Sequence, residues 1–159
     1  MNWKDMGDGS FPLVESNLYT VRIVEVKRGL SAKKQSPQLE VKATIIEGPL
    51  EGMSLMDRLS LVEAAAWRIG QALLACGMST ENIKALPVCD DNSEEFTRIT
   101  NMLKGRVCVW DVTQDTYQGT TRNKVSSWAA VLDADQGELT YEDNVPDWVK
   151  SKTKKAGLI

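Results

Sequence analysis

The stretch MSLMDRLSLVEAAAWRIGQALLAC, from Met53 to Cys76, reads as a strand running into a helix. Met53, Leu55, Leu59 and Leu61 share one parity, the period of a half-buried strand, and Asp57 interrupts the row. Ser60-Leu61-Val62-Glu63 has capping-box spacing, in which the Ser oxygen accepts an N–H three residues on and the Glu reaches back. Ala64-Ala65-Ala66 follows, a run of the strongest helix former. Trp67, Ile69, Leu73, Leu74 and Cys76 supply the apolar face expected to pack on the core. Gly77 stands where a left-handed residue closes a helix.

Strand-like sequence lies on both sides of this helix. Upstream, residues 1–17 hold Gly7, Gly9 and Pro12 and read as an N-terminal arm, with Phe11 and Leu13 expected to pin it. Tyr19 to Arg28 is the first strand. Its apolar parity shifts from Tyr19, Val21 and Ile23 to Val24 and Val26, as a bulge would produce. Gly29 to Pro37 is a cationic loop. Gln38 to Glu47 is the second strand, with Leu39, Val41, Ala43 and Ile45 on one face and Gln38, Glu40, Lys42 and Thr44 on the other. Gly48-Pro49-Leu50-Glu51-Gly52 is a turn.

Downstream, Ser79 to Asn92 is a connector with a short helical turn over Thr80 to Ala85, and Asn92-Ser93-Glu94-Glu95 is a second capping-box candidate. Phe96, Ile99 and Leu103 have helical spacing, ended by Gly105. Val107, Val109 and Asp111 share one face of a fourth strand, with Cys108, Trp110 and Val112 on the other. A strand apolar on both faces is central or bent. Gln118-Gly119 marks a hairpin into a fifth strand, Lys124 to Leu132.

Three strands, a helical segment and two more strands is the order of the five-stranded Greek-key barrel that binds oligonucleotides and oligosaccharides, the OB-fold. A mainly β chain of this type is the expected fold; an α+β roll and a β-sandwich short of two strands are the alternatives. The domain is expected over residues 18–132. Residues 133–159 form a tail, first acidic and then basic: Asp133 to Asp147 holds six acids and no cation, and Lys150, Lys152, Lys154 and Lys155 follow.

With 159 residues the chain suffices for one full core and a tail. It has no histidine, which removes the commonest general base, Ser–His and Cys–His pairs, and the usual zinc sets. Three cysteines without C-x-x-C spacing give no disulfide framework or metal site, and no cofactor is expected. No apolar run reaches the length of a membrane span, and Met1-Asn2-Trp3-Lys4-Asp5 does not open a signal peptide, so a cytoplasmic protein is expected.

Several stretches together resemble a phage and prophage family of small proteins encoded near replication and recombination functions. They are Leu18-Tyr19-Thr20-Val21, Ile46-Glu47-Gly48-Pro49-Leu50-Glu51-Gly52, Trp67 with Leu73-Leu74-Ala75-Cys76-Gly77, Leu103-Lys104-Gly105-Arg106-Val107, and Tyr117-Gln118-Gly119 followed by Arg122-Asn123-Lys124-Val125. The resemblance covers roughly residues 11 to 130. It implies single-stranded-DNA binding or a recombination-associated role in a host cell's cytoplasm.

The charge pattern bears on the same function. The net charge is −3, yet Tyr19 to Lys42 holds six cations against two acids. Single-strand binders combine a basic groove with aromatic platforms. In the barrel that groove runs over strands two and three between the loops joining strands one–two and four–five. Those loops hold Arg28, Lys33 and Lys34, and Tyr117, Arg122 and Lys124. Arg22, Lys42 and Arg58 are expected on the strand surfaces between them. Trp110 and Tyr117 are the stacking candidates, with a core role competing for Trp110 and Trp128. Trp67 is expected in the core. Glu40 and Asp57 count against a uniformly basic groove. Trp148, beside the acidic segment, is the candidate anchor for a replication or recombination partner, and an oligomer is compatible with the sequence.

An enzyme is the rival class. Asp111 with Asp115, or Glu94 with Glu95, are the available carboxylate pairs, but no third ligand or base falls at a telling spacing. Glu94-Glu95 is explained by a helix N-terminus. The remaining alternative is a phage protein that binds a protein partner through its sheet edge and tail, without affinity for nucleic acid.

Overall fold

A computed structural model describes residues 13–31, 35–62, 67–131 and 136–141. Five strands, β1 (Asn17–Leu30), β2 (Pro37–Ile45), β3 (Ser54–Ser60), β4 (Val107–Tyr117) and β5 (Thr120–Ala129), form one sheet in the order β3-β2-β1-β4-β5. Every pairing is antiparallel. The first three strands follow one another by hairpins and β4 returns beside β1, the Greek-key order. The ends of the sheet, β3 and β5, come into contact without a hydrogen-bonded ladder between them. Helices α1 (Trp67–Ala75), α2 (Thr80–Lys84) and α3 (Glu94–Asn101) lie between β3 and β4. The protein is mainly β, a five-stranded OB-like barrel with its helical segment in the expected place.

The strands form where alternation is strictest. Leu39, Val41, Ala43 and Ile45 of β2 are buried, as are Leu55, Asp57 and Leu59 of β3 and Cys108, Trp110 and Val112 of β4. β1 bends where the parity shift foretells it. The register slips between Ile23 and Glu25, so Val21, Ile23 and Val26 all face inward. Val24, the extra residue, is exposed rather than buried. Gln118 and Gly119 have φ of 50° and 78°, the two left-handed residues of a turn whose twist matches the flanking strands. β5 consequently starts at Thr120, earlier than expected.

Trp110 and Trp128 sit at the centre of the core, with ring centroids 5.1 Å apart and planes tilted by 49°. Trp110 is 0% exposed. Its assignment as a stacking platform is therefore corrected: the ring is walled in by the barrel and has no face to offer a base.

Asp57 is also in the interior. Its Oδ2 accepts 2.7 Å from Trp128 Nε1 and 2.9 Å from Arg68 Nη2. The break in the apolar row is a polar brace between β3, α1 and β5. Arg68 Nη2 also donates to Val125 O at 3.2 Å, and Gln71 Oε1 accepts Trp128 N at 3.4 Å. Two side chains of α1 thus occupy polar groups along the edge of β5 that has no neighbouring strand, which blunts the edge.

The helix itself departs from expectation. Ser60 belongs to β3, and its Oγ accepts from Val62 N, two residues on, at 3.2 Å. The rest of the expected capping box, from Glu63 to Ala66, lies outside the described residues. Ala72, Leu73 and Ala75 are buried, whereas Trp67 is 64% exposed. At about 100° per residue Ile69, Leu73 and Cys76 fall on one side of a helix, and Trp67 and Leu74 on the other. The apolar residues never formed one stripe. The α3 cap is Ser93, whose Oγ accepts from Phe96 N at 3.2 Å. It acts without a partner Glu, because the residue three on is Phe96.

Both ends of the described chain are tied down. Val14, not Leu13, is the N-terminal pin: it is buried while Leu13 is exposed. Asn123 accepts from Val14 N at 3.0 Å and donates to Val14 O at 2.8 Å, and Gln114 adds a second donor to that carbonyl at 2.8 Å. Phe11 lies outside the described residues.

At the other end, residues 136–141 dock on the barrel although the tail was expected to begin at 133. Gln136 pairs with both the N–H and the carbonyl of Val107 at 2.8 Å, imitating a strand neighbour. The Arg106 guanidinium gathers the carbonyls of Cys76 (2.8 Å), Gln136 (3.0 Å) and Gly137. Leu139 is buried.

Candidate nucleic-acid interface

The outward side chains of β1, β2 and β3 line up in cross-strand rows. Register sets Lys27 beside Glu40 and Glu40 beside Arg58. The next row is Glu25, Lys42 and Met56, and a further one is Arg22, Thr44 and Ser54. Arg22, Lys27 and Arg58 are exposed and Lys42 is half-buried. The face therefore carries cations on three adjacent strands with two acids interleaved. Lys27 Nζ lies 3.9 Å from Glu25 Oε1, an exposed pair of little energetic weight. Glu40 leans over Gly29, where a Cβ would occupy the place of its carboxylate. Glycine at 29 is what lets that acid lie flat along the sheet.

The sequence-identified cations are placed as follows. Arg22 Nη1 donates to Gly105 O at 3.1 Å and remains exposed. Arg28 is engaged by Asp91 of the connector, with Nη2 3.1 Å from Oδ2. Lys42 and Arg58 project from β2 and β3 and make no ion pair among the described residues. Lys33 and Lys34 lie outside the described residues. Their loop is drawn shut by Ser31 N to Ser36 O at 2.8 Å and by Ser36 N to Ser31 Oγ at 3.0 Å.

On the β4–β5 hairpin, Arg122 is exposed opposite Asp115, and Lys124 is exposed opposite Thr113. Tyr117 pairs with Thr120 at the turn. Trp148 lies outside the described residues. The structure thus assembles Arg22, Lys42 and Arg58 on one continuous face and sets Arg122 and Lys124 on the hairpin.

That face lacks aromatic rings. The outward residues of β2 and β3 are Gln38, Glu40, Lys42 and Thr44, and Ser54, Met56, Arg58 and Ser60. Among the described residues Trp67 is an exposed aromatic that sequence reading missed, and a helical projection of residues 67–76 would have found it.

Burial sets the electrostatics beneath this surface. Desolvation pushes the Asp57 carboxyl above its ordinary value, and the hydrogen bonds from Trp128 and Arg68 oppose the shift without cancelling it. The Cys108 thiol is pushed upward by its hydrogen bond with Cys76 and by burial, so it is no nucleophile.

The β4–β5 pairing slips after Asp111, where Ser126 of β5 is the extra residue, and Asp115 stands opposite Arg122. Glu94 and Glu95 both pair with Arg98, at 3.6 and 2.8 Å. An open concavity of about 300 Å³ at the start of α3 is lined by Asn92, Ser93, Glu94, Thr97 and that same Arg98. Among the described residues no three metal-ligating side chains gather, and no helix is long and apolar enough to cross a membrane.

No family model matches the chain, and no curated protein does. Among solved structures it is similar to yeast RPA bound to ssDNA, at 12% identity over 97% of this chain and 94% of that one, with a TM-score of 0.37. A score that low supports neither the fold nor a function, and the fold rests on the strand pairing described above.

Proposed function

We propose that the protein binds single-stranded DNA without a catalytic step, in the service of phage replication or recombination. The observation that carries the reading is the grouping of exposed cations on one barrel face. Arg22, Lys27 and Arg58 project from β1 and β3 of a chain whose net charge is −3. Lys42 stands between them, and Arg122 and Lys124 extend the positive surface along β5. A backbone of phosphates matches such a face.

The test is titration of a labelled oligonucleotide at several salt concentrations, with a duplex control. For single strands log K falls with log[salt] at about −0.7 per neutralised phosphate, so roughly four to six contacts give a slope of about −3 to −4. Absence of binding at low salt, or binding indifferent to salt, rejects the reading.

A second reading draws on Glu25 and Glu40. Acids interleaved with Lys27, Lys42 and Arg58 also suit a protein partner of mixed charge, met through this sheet or through the tail with Trp148. It predicts no salt-dependent affinity for single strands.

A further inference from the structure

Trp67 opens α1 and is 64% exposed. The next residue, Arg68, turns inward. Its Nη2 lies 2.9 Å from Asp57 Oδ2 on β3 and 3.2 Å from Val125 O on β5. One guanidinium therefore fixes the first turn of α1 over the seam where β3 and β5 meet. The chain neighbours of its two acceptors are Arg58 on β3 and Lys124 on β5. Alternation turns both outward, both are exposed, and neither has an ion pair among the described residues.

An indole is thus held at the seam, beside strand segments that each present a free cation. One turn along the same helix, Gly70 has open space where a Cβ would stand. An indole left this open contributes little to the core, and the buried Ala72, Leu73 and Ala75 hold the helix without it.

From this juxtaposition we propose that Trp67 is a stacking platform for one base of a single-stranded nucleic acid, with Arg58 and Lys124 on the phosphates to either side. The inference rests on the function proposed above and specifies a path for the strand: across the β3–α1–β5 seam, away from the ring-free centre of β2. Stacking uses the π-face common to all bases, so the contact tolerates any sequence, and the flanking cations supply the salt-dependent part.

The experiment uses the full chain and a labelled oligothymidylate of about 15 nucleotides, a length on the order of one or two OB-fold sites. Trp67→Leu is expected to weaken binding by roughly tenfold, the loss of one stacked base, with the salt slope unchanged. Trp67→Tyr keeps a ring and retains most of the affinity. Arg58→Gln and Lys124→Gln each flatten the slope by about 0.7. Thermal unfolding of each variant, compared with that of the parent, verifies that the fold is kept. If the parent binds and Trp67→Leu binds equally well, the platform is refuted while the proposed function stands. If the parent does not bind at low salt, both fall.

Discussion

Asp57 on β3 accepts a 2.7 Å hydrogen bond from the Trp128 indole on β5, and this contact spans the place where the two ends of the sheet meet. Arg68 completes the brace from α1. Removing the carboxylate strands two donors, one of them charged. Asp57→Ala is expected to cost about 2–4 kcal/mol, read from urea unfolding with an unchanged m-value.

The same carboxyl gives a pH dependence of definite sign. Its folded pKa lies above the ordinary 3.8 of a free aspartate because burial disfavours the anion. The folded chain therefore holds a proton where the unfolded chain has released it. This group's contribution is most favourable below the unfolded pKa and diminishes as pH rises through the folded one. Asp57→Asn keeps an acceptor for Trp128 but cannot titrate. The difference in unfolding free energy between parent and Asp57→Asn should shift against the parent as pH rises from 3.8 through the folded pKa, and then level off. A constant difference across that window contradicts this account.

Residues 136–141 are part of the folded unit, held by Arg106 and by the burial of Leu139. A chain ending at Leu132 should lose at least about 2 kcal/mol, because Leu139 is removed and Arg106 keeps only the Cys76 carbonyl among its described acceptors. Leu139→Ala alone should cost about 2–4 kcal/mol. Equal stability of the truncated and full chains would show that the docking is incidental.

Asp91 Oδ2 lies 3.1 Å from Arg28 Nη2, so under the proposed function it engages a cation the strand would otherwise meet. Asp91→Asn should free it, raising affinity for single strands severalfold at low salt and steepening the slope by up to about 0.7. An unchanged slope would place Arg28 outside the binding surface.

The loop cations are tested in pairs. Lys33→Ala with Lys34→Ala, and Arg122→Ala with Lys124→Ala, should each weaken binding and flatten the slope, while stability moves by no more than ~0.5 kcal/mol. Doubles that bind like the parent would show the groove to lie elsewhere.

The features that were legible in the sequence are local ones. The alternation of Cys108, Trp110 and Val112, the parity shift after Ile23 and the Gln118-Gly119 turn each depend on residues a few places apart, and each is present. The role of Asp57 was hidden because its partners, Arg68 and Trp128, come from other elements. The docking of 136–141 was hidden likewise, since Arg106 lies 30 residues from Gln136. Trp67 was misread for a different reason. Counting apolar residues on a helix without projecting them by 100° steps merges its two sides. At the interface the outward placement of Arg22, Lys42 and Arg58 followed from strand parity. The capture of Arg28 by Asp91 required the fold.

The clamp that Gln114 and Asn123 place on Val14 joins residues 100 and 109 apart in sequence. Such a contact closes a very long loop, and it has something to grip only after β4 and β5 have paired. It is expected to form on the late side of the folding barrier, because the closure of so long a loop must be paid before the contact rewards it. Loosening it, as in Asn123→Ala, should hasten unfolding and leave the refolding rate nearly unchanged. Val14 would thereby be a latch on the lifetime of the folded barrel rather than on how quickly it is reached.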